Sequence, residues 1–392
     1  MTRLPRVVHP LRLRGTGPAA QEGERHATWL ELFFDLVFVL ALSSITTEIG
    51  NGASPATSKI LVAVALYMLV QWAWVSQSFY DTRYDPDDWL HRILVFVATA
   101  GAGGIAIGVR HLPEDLLLPA GYLVVRGALI LMYLRVLLTS QAERSVATVY
   151  LGGFGVGWSL WLASLAVDPS TRPILWVVAV AIELSTPVWG YRWLLQHPVD
   201  TSHLPERLGQ FTIILLGATL ADLLNAVPVS HRSGELVGAA MLAFVVPVSI
   251  WWIYTTFLTS QLALSRLRNG SWYAFLHLPL GTSLVFLGWA LGEVVQEIAH
   301  GVPRLPDTLR VLLSGSIVIA MLSGLLLQWG SLGSLLLKRI VIAGVGMTAV
   351  IVTAAVVSDP LLTLALTALS MASYASLVNS EIFHVRSARS NP

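Results

Sequence analysis

Read for hydropathy alone, the chain alternates long apolar runs of helical length with short breaks rich in polar residues, proline and glycine. A run of about 20 apolar residues is what a helix needs to cross a bilayer. On that criterion the pattern predicts twelve helices, over 29–49, 57–79, 91–109, 115–138, 145–167, 173–195, 206–226, 235–259, 273–298, 308–329, 335–357 and 360–379. No alternating strand pattern competes with them. The expected fold class is all-α, a polytopic transmembrane helix bundle. The longest polar breaks, 80–90, 196–206 and 299–308, are too short to hold a soluble domain.

The two halves of the pattern look alike. Glu31-Leu-Phe-Phe-Asp35 opens the first helix and Glu206-Arg-Leu-Gly-Gln210 the seventh. The second helix carries Gln71-Trp72-Ala-Trp74 and the eighth Trp251-Trp252-Ile-Tyr254. The third begins Trp89-Leu90-His91, and the ninth contains Phe275-Leu276-His277 at its start. This order predicts a parallel 6+6 internal repeat. The expected organisation is a basic tail over 1–27, a first six-helix repeat over 28–198, a second over 199–380 and a short tail over 381–392.

Charge gives the expected orientation. Of 24 Lys and Arg, only Lys59, Arg110, Arg172, Arg232, Arg304 and Arg310 fall on one side, and Arg126 lies mid-helix. The remaining 17 flank the other side, which by the positive-inside rule is the cytoplasm. Both termini are therefore expected inside, in a multi-pass protein of the bacterial cytoplasmic membrane.

Composition agrees: 55% of residues are hydrophobic and 12% charged, and the mean hydropathy is +0.69. The absence of cysteine rules out thiolate metal sites and cysteine nucleophiles. Glycine runs such as 101–104 lack the strand and the Gly-Lys-Ser/Thr of a phosphate cradle. No hydrolase, nucleotide or metal motif stands out, so no enzyme, cofactor or metal is expected. The spacing of Glu293, Glu297 and His300 is compatible with a metal only if a second helix adds ligands.

The ionisable residues inside apolar runs are the candidate chemistry, because charge in a bilayer is expensive and is kept facing protein or water. Thr28-x-x-Glu31 reads as a capping box. Asp35 lies a further turn in, beyond any capping role. Glu31, Asp35, Phe38, Leu42 and Thr46 share one helical stripe. Such a stripe suits a cation-attracting mouth leading to an apolar gate, or a buried carboxylate locking helices together. The solute-path candidates are Glu31, Asp35, Glu206, Gln210, Asp222, His91 and His277. Arg126, Glu183 and Glu293 are further intramembrane charges, the first two placed for an ion pair between the fourth and sixth helices.

With these motifs in view, the chain resembles the bacterial low temperature requirement A family. The resemblance rests on Thr28 to Phe38, on Glu206 to Gly217 and on Tyr273 to His277, and it runs over roughly 25–385. The family usually continues its second motif as Leu-Gly-Glu. Here Ala218 follows Leu216-Gly217, and Asp222 is the nearest replacement acid. The combined expectation is a transporter or channel for an ion or small solute, with a path lined by the first and seventh helices. The alternative is a non-transport membrane protein acting in envelope or cold-stress adaptation through lipids or partners. Expected partners are the bilayer, an ion or small solute and, in a homo-oligomer, further copies of the chain, but not nucleic acid.

Overall fold

A computed structural model of the chain describes residues 28–50, 52–84, 88–195, 203–228, 233–259, 270–332 and 337–390. The basic tail over 1–27 lies outside the described residues. Within them the chain is all-helical, with no strand. The long helices are α1 (Trp29–Ser44), α2 (Thr57–Tyr84), α3 (Trp89–Gly108), α4 (Leu117–Thr139), α5 (Arg144–Ser164), α6 (Arg172–Trp189) and α7 (His203–Asn225). They continue as α8 (Gly234–Thr259), α9 (Gly270–Ala299), α10 (Asp307–Leu332), α11 (Leu337–Val356) and α12 (Pro360–Ser390).

Eleven helices among the described residues, α2 to α12, are long and apolar enough to cross a membrane. The exception is α1, whose 16 residues reach about 24 Å. The helical run expected over 29–49 is interrupted at Ile45 and resumes as one turn over Thr46–Ile49. Local hydroxyls explain the break. Ser44 Oγ donates to the Ala41 carbonyl and Thr46 Oγ1 to that of Ser43, competing with the regular ladder. Amides there tighten to i→i−3 bonds, Ile45 to Leu42 and Glu48 to Ile45.

The chain forms two compact units. The first is made of the described residues within 1–48, 65–207 and 268–271, and the second of those within 49–64, 208–267 and 272–392. In the first, α4 packs on α3 and α5, α5 on α6, and α1 on α3. Every residue of α2 from Gln71 to Tyr84 is buried, although seven are polar or charged. Several of its polar groups find partners. Gln77 Nε2 donates to Asp81 Oδ1 at 2.9 Å, and the Tyr84 hydroxyl donates to Glu143 Oε2 at 3.4 Å. Arg83 lies 5.8 Å from the ring centre of Tyr150.

In the second unit α12 packs on α8 and α11, and α11 on α10. Helices α7 and α9 come unusually close where α9 offers glycine. A Cβ on Gly288 would lie 3.0 Å from the Thr219 Cα, and one on Gly292 3.1 Å from the Ala226 Cβ. This is the small-residue contact that the Gly288-x-x-x-Gly292 spacing predicts. Thr219 Oγ1 reinforces it by donating to the Leu284 carbonyl at 3.0 Å.

Candidate functional site

One charge cluster of the first unit lies at the start of α1. Thr28 caps the helix in extended conformation. Its Oγ1 accepts from the Glu31 amide at 3.2 Å, while Glu31 Oε2 accepts from the Thr28 amide at 2.7 Å. The capping box is therefore present, and it occupies only one glutamate oxygen. The other, Oε1, turns to the first turn of α7, 3.4 Å from His203 Nε2 and 3.9 Å from Arg207 Nε. Glu206 sits at the rim, its Oε2 3.9 Å from His203 Nδ1.

One helical turn deeper, Asp35 has 0% exposure. Its two oxygens take the fork of Arg207, NH1 donating to Oδ2 at 2.7 Å and NH2 to Oδ1 at 2.8 Å. The Trp74 indole of α2 donates to Oδ1 at 2.7 Å. Arg207 is itself fully buried and lies 5.7 Å from the Trp74 ring centre. A planar guanidinium matches a carboxylate bidentately, which a lysine cannot do. Taking the two ions out of water costs several kcal/mol each, so three convergent donors and close geometry are required to hold them here. The stripe Glu31, Asp35, Phe38 and Leu42 is the buried face of α1, and Asp35 on it meets a guanidinium.

The sequence profile described as "Bacterial low temperature requirement A protein (LtrA)" matches residues 26–375, from the α1 cap into α12. The chain belongs to this family. A protein of Rhizobium meliloti (strain 1021), itself uncharacterized, is 26% identical over 297 residues, with 68% of each chain covered. No solved structure matches. Within the family's first motif, Glu31 and Asp35 thus do different work. Glu31 finishes the cap and leans on His203, whereas Asp35 is held by Arg207 from the second motif. Eleven apolar helices and membership in the low temperature requirement A family identify an integral membrane protein.

The other expected residues are dispersed. Gln210 and Asp222, half-buried on α7, belong to the second unit. His91 pairs within the first unit with Asp81, Nε2 to Oδ1 at 3.5 Å, and its ring stacks on Tyr80. The His91 amide is capped by Asp88, which also takes a two-pronged contact from Arg135. His277, in the second unit, has Nε2 3.0 Å from the Tyr254 hydroxyl and Nδ1 2.8 Å from the Tyr273 carbonyl.

The ion pair expected between the fourth and sixth helices is formed. Glu183 Oε2 accepts from the Tyr122 hydroxyl at 2.5 Å and from Arg126 Nε at 2.7 Å, and all three residues are fully buried. Arg126 also lies 4.5 Å from the Phe154 ring centre. Glycine makes the room: a Cβ on Gly157 would come 2.5 Å from Glu183 Oε1. Glu293 accepts from the Gly52 amide at 3.2 Å. No group of three or more His, Asp or Glu able to hold a metal occurs among the described residues.

Sequence reasoning missed Arg207, His203, Trp74 and Asp81. Arg207 stands inside the second motif and is one of the 17 Lys and Arg that the positive-inside reading assigns to the cytoplasmic flank. The available signal was Asp35 itself, because a carboxylate that far into an apolar helix demands a cationic partner.

Proposed function

We propose that the protein is a transporter for an ion or small solute, whose path runs past α1 and the first turn of α7. The observation that carries this reading is the Asp35–Arg207 pair, two opposite charges with no exposed surface inside a membrane bundle. Ionisable groups held in that setting mark solute and proton paths in membrane proteins. In this reading the pair is the closed gate. Glu31 and His203, stacked one turn toward the helix start, receive the charge or solute when Asp35 and Arg207 separate. A parallel 6+6 repeat, cytoplasmic termini and the bacterial inner membrane are parts of the same proposal.

A second reading makes the pair architectural. The bidentate geometry and the Trp74 bond favour it, since a fully satisfied buried pair also locks helices. Reconstitution separates the two. Purified protein in liposomes under proton, cation and anion gradients is expected to show flux above that of empty liposomes, lost in Asp35→Ala. Flux no greater than that of empty liposomes for every gradient overturns the transport reading.

A further inference from the structure

The second unit holds a slot that the charge network does not touch. It lies among α8, α10 and α12, is partly open to the surroundings and is lined mainly by apolar side chains. Ile250 and Phe257 form one wall, Met321 and Leu327 the other, and Met371 and Tyr374 the floor. Met321 and Met371 in the lining suit a chain-like ligand, because a flexible thioether adapts to an irregular partner. From Ala320 to Gln328 the slot follows α10 for about 12 Å, most of the ~15 Å depth of one leaflet.

Gly324 lies in that wall, and a Cβ there would meet nothing within 4 Å. It therefore faces open space, unlike Gly288 and Gly292, whose missing side chains admit a neighbouring helix.

One end of the slot is polar. Gln328 Oε1 accepts from Arg339 NH1 at 3.4 Å, and Arg339 Nε lies 3.5 Å from Glu381 Oε2. Lys338 Nζ is 3.5 Å from the same carboxylate but 69% exposed. Two cations against one acid leave a net positive charge where the apolar slot ends. Trp329 on α10, next to Gln328, is exposed, and Trp272 lies beside Gly330. Exposed tryptophans mark the height at which a membrane surface sits.

We infer that this slot binds a bilayer lipid with an anionic headgroup. One acyl chain lies along Gly324 between α8 and α10, and the phosphate rests at Lys338 and Arg339. Apolar length, interfacial height and positive charge coincide at this end of the slot.

The test is native mass spectrometry of the full chain with phosphatidylglycerol or phosphatidylcholine of the same acyl chains. Wild type is expected to retain one phosphatidylglycerol in preference to phosphatidylcholine. Lys338→Gln, an exposed substitution that leaves folding intact, should lower phosphatidylglycerol retention about fivefold, the effect of one basic residue near an anionic surface. Gly324→Leu, which fills the slot, should abolish retention of both. Equal retention of the two lipids by wild type, or undiminished phosphatidylglycerol binding in Lys338→Gln, overturns the inference. So does full retention in Gly324→Leu. If Gly324→Leu fails to elute as folded protein, the lipid comparison and Lys338→Gln decide.

Discussion

Asp35→Asn keeps an oxygen for the Trp74 indole and removes only the charge. Arg207 is then left fully buried, with Glu31 Oε1 3.9 Å from its Nε. Breaking a buried pair from one side costs about 3–5 kcal/mol, because the surviving ion stays desolvated. The nearby Glu31 offsets part of this, so Asp35→Asn belongs at the lower end, about 3 kcal/mol, more than a hundredfold in the folded ratio. Arg207→Gln is the harsher change, since it leaves the Asp35 carboxylate buried without its cation and removes a positive charge beside Glu31, and it belongs near 5 kcal/mol. The double variant carries neither the cation nor Asp35's charge, and the two losses should fall short of their sum by about 2 kcal/mol. SDS-titrated unfolding of the purified protein, followed by circular dichroism, measures all four corners. Additive losses, or single variants within about 0.5 kcal/mol of wild type, would refute the pairing energetics.

Four further outcomes follow from the geometry. Trp74→Phe removes one of three donors to Asp35 and should cost about 1–3 kcal/mol in the same assay. Gly157→Ala drives a methyl into Glu183 and Gly288→Ala one onto the Thr219 backbone; each should lose about 1–3 kcal/mol, whereas Gly324→Ala should be near neutral. Replacing the deep pair together, Arg126→Met with Glu183→Leu, should leave stability unchanged or raised, while Glu183→Leu alone should destabilise by about 3–5 kcal/mol. Because the chain has no cysteine, Thr2→Cys and His300→Cys are clean reporters of orientation. Impermeant maleimide added to intact cells should label the second and spare the first.

What the sequence disclosed depended on how local the signal was. The α1 cap was legible because Thr28 and Glu31 are three residues apart, and the Arg126–Glu183 pair because both ions lie deep in apolar runs. Helix ends were less so. The second helix was expected to stop at 79 and runs to Tyr84, since Asp81 and Tyr84 look like loop residues until His91 and Glu143 meet them. The twelfth was expected to stop at 379 and continues past Glu381, which Lys338 and Arg339 neutralise. Hydropathy assigns a polar residue to water; it does not record a partner brought by another helix. Arg207 escaped for the same reason, lying at the edge of an apolar run and 172 residues from the carboxylate it holds.

The most direct measurement compares flux through liposomes containing wild type with flux through the neutral double variant, Asp35→Asn with Arg207→Gln. That variant must first be shown to be folded by gel filtration in detergent. Wild type is expected to carry a proton, cation or anion current above empty liposomes, and the folded neutral pair to carry none. A folded neutral pair that transports as well as wild type would show that the buried charges hold helices together and move nothing.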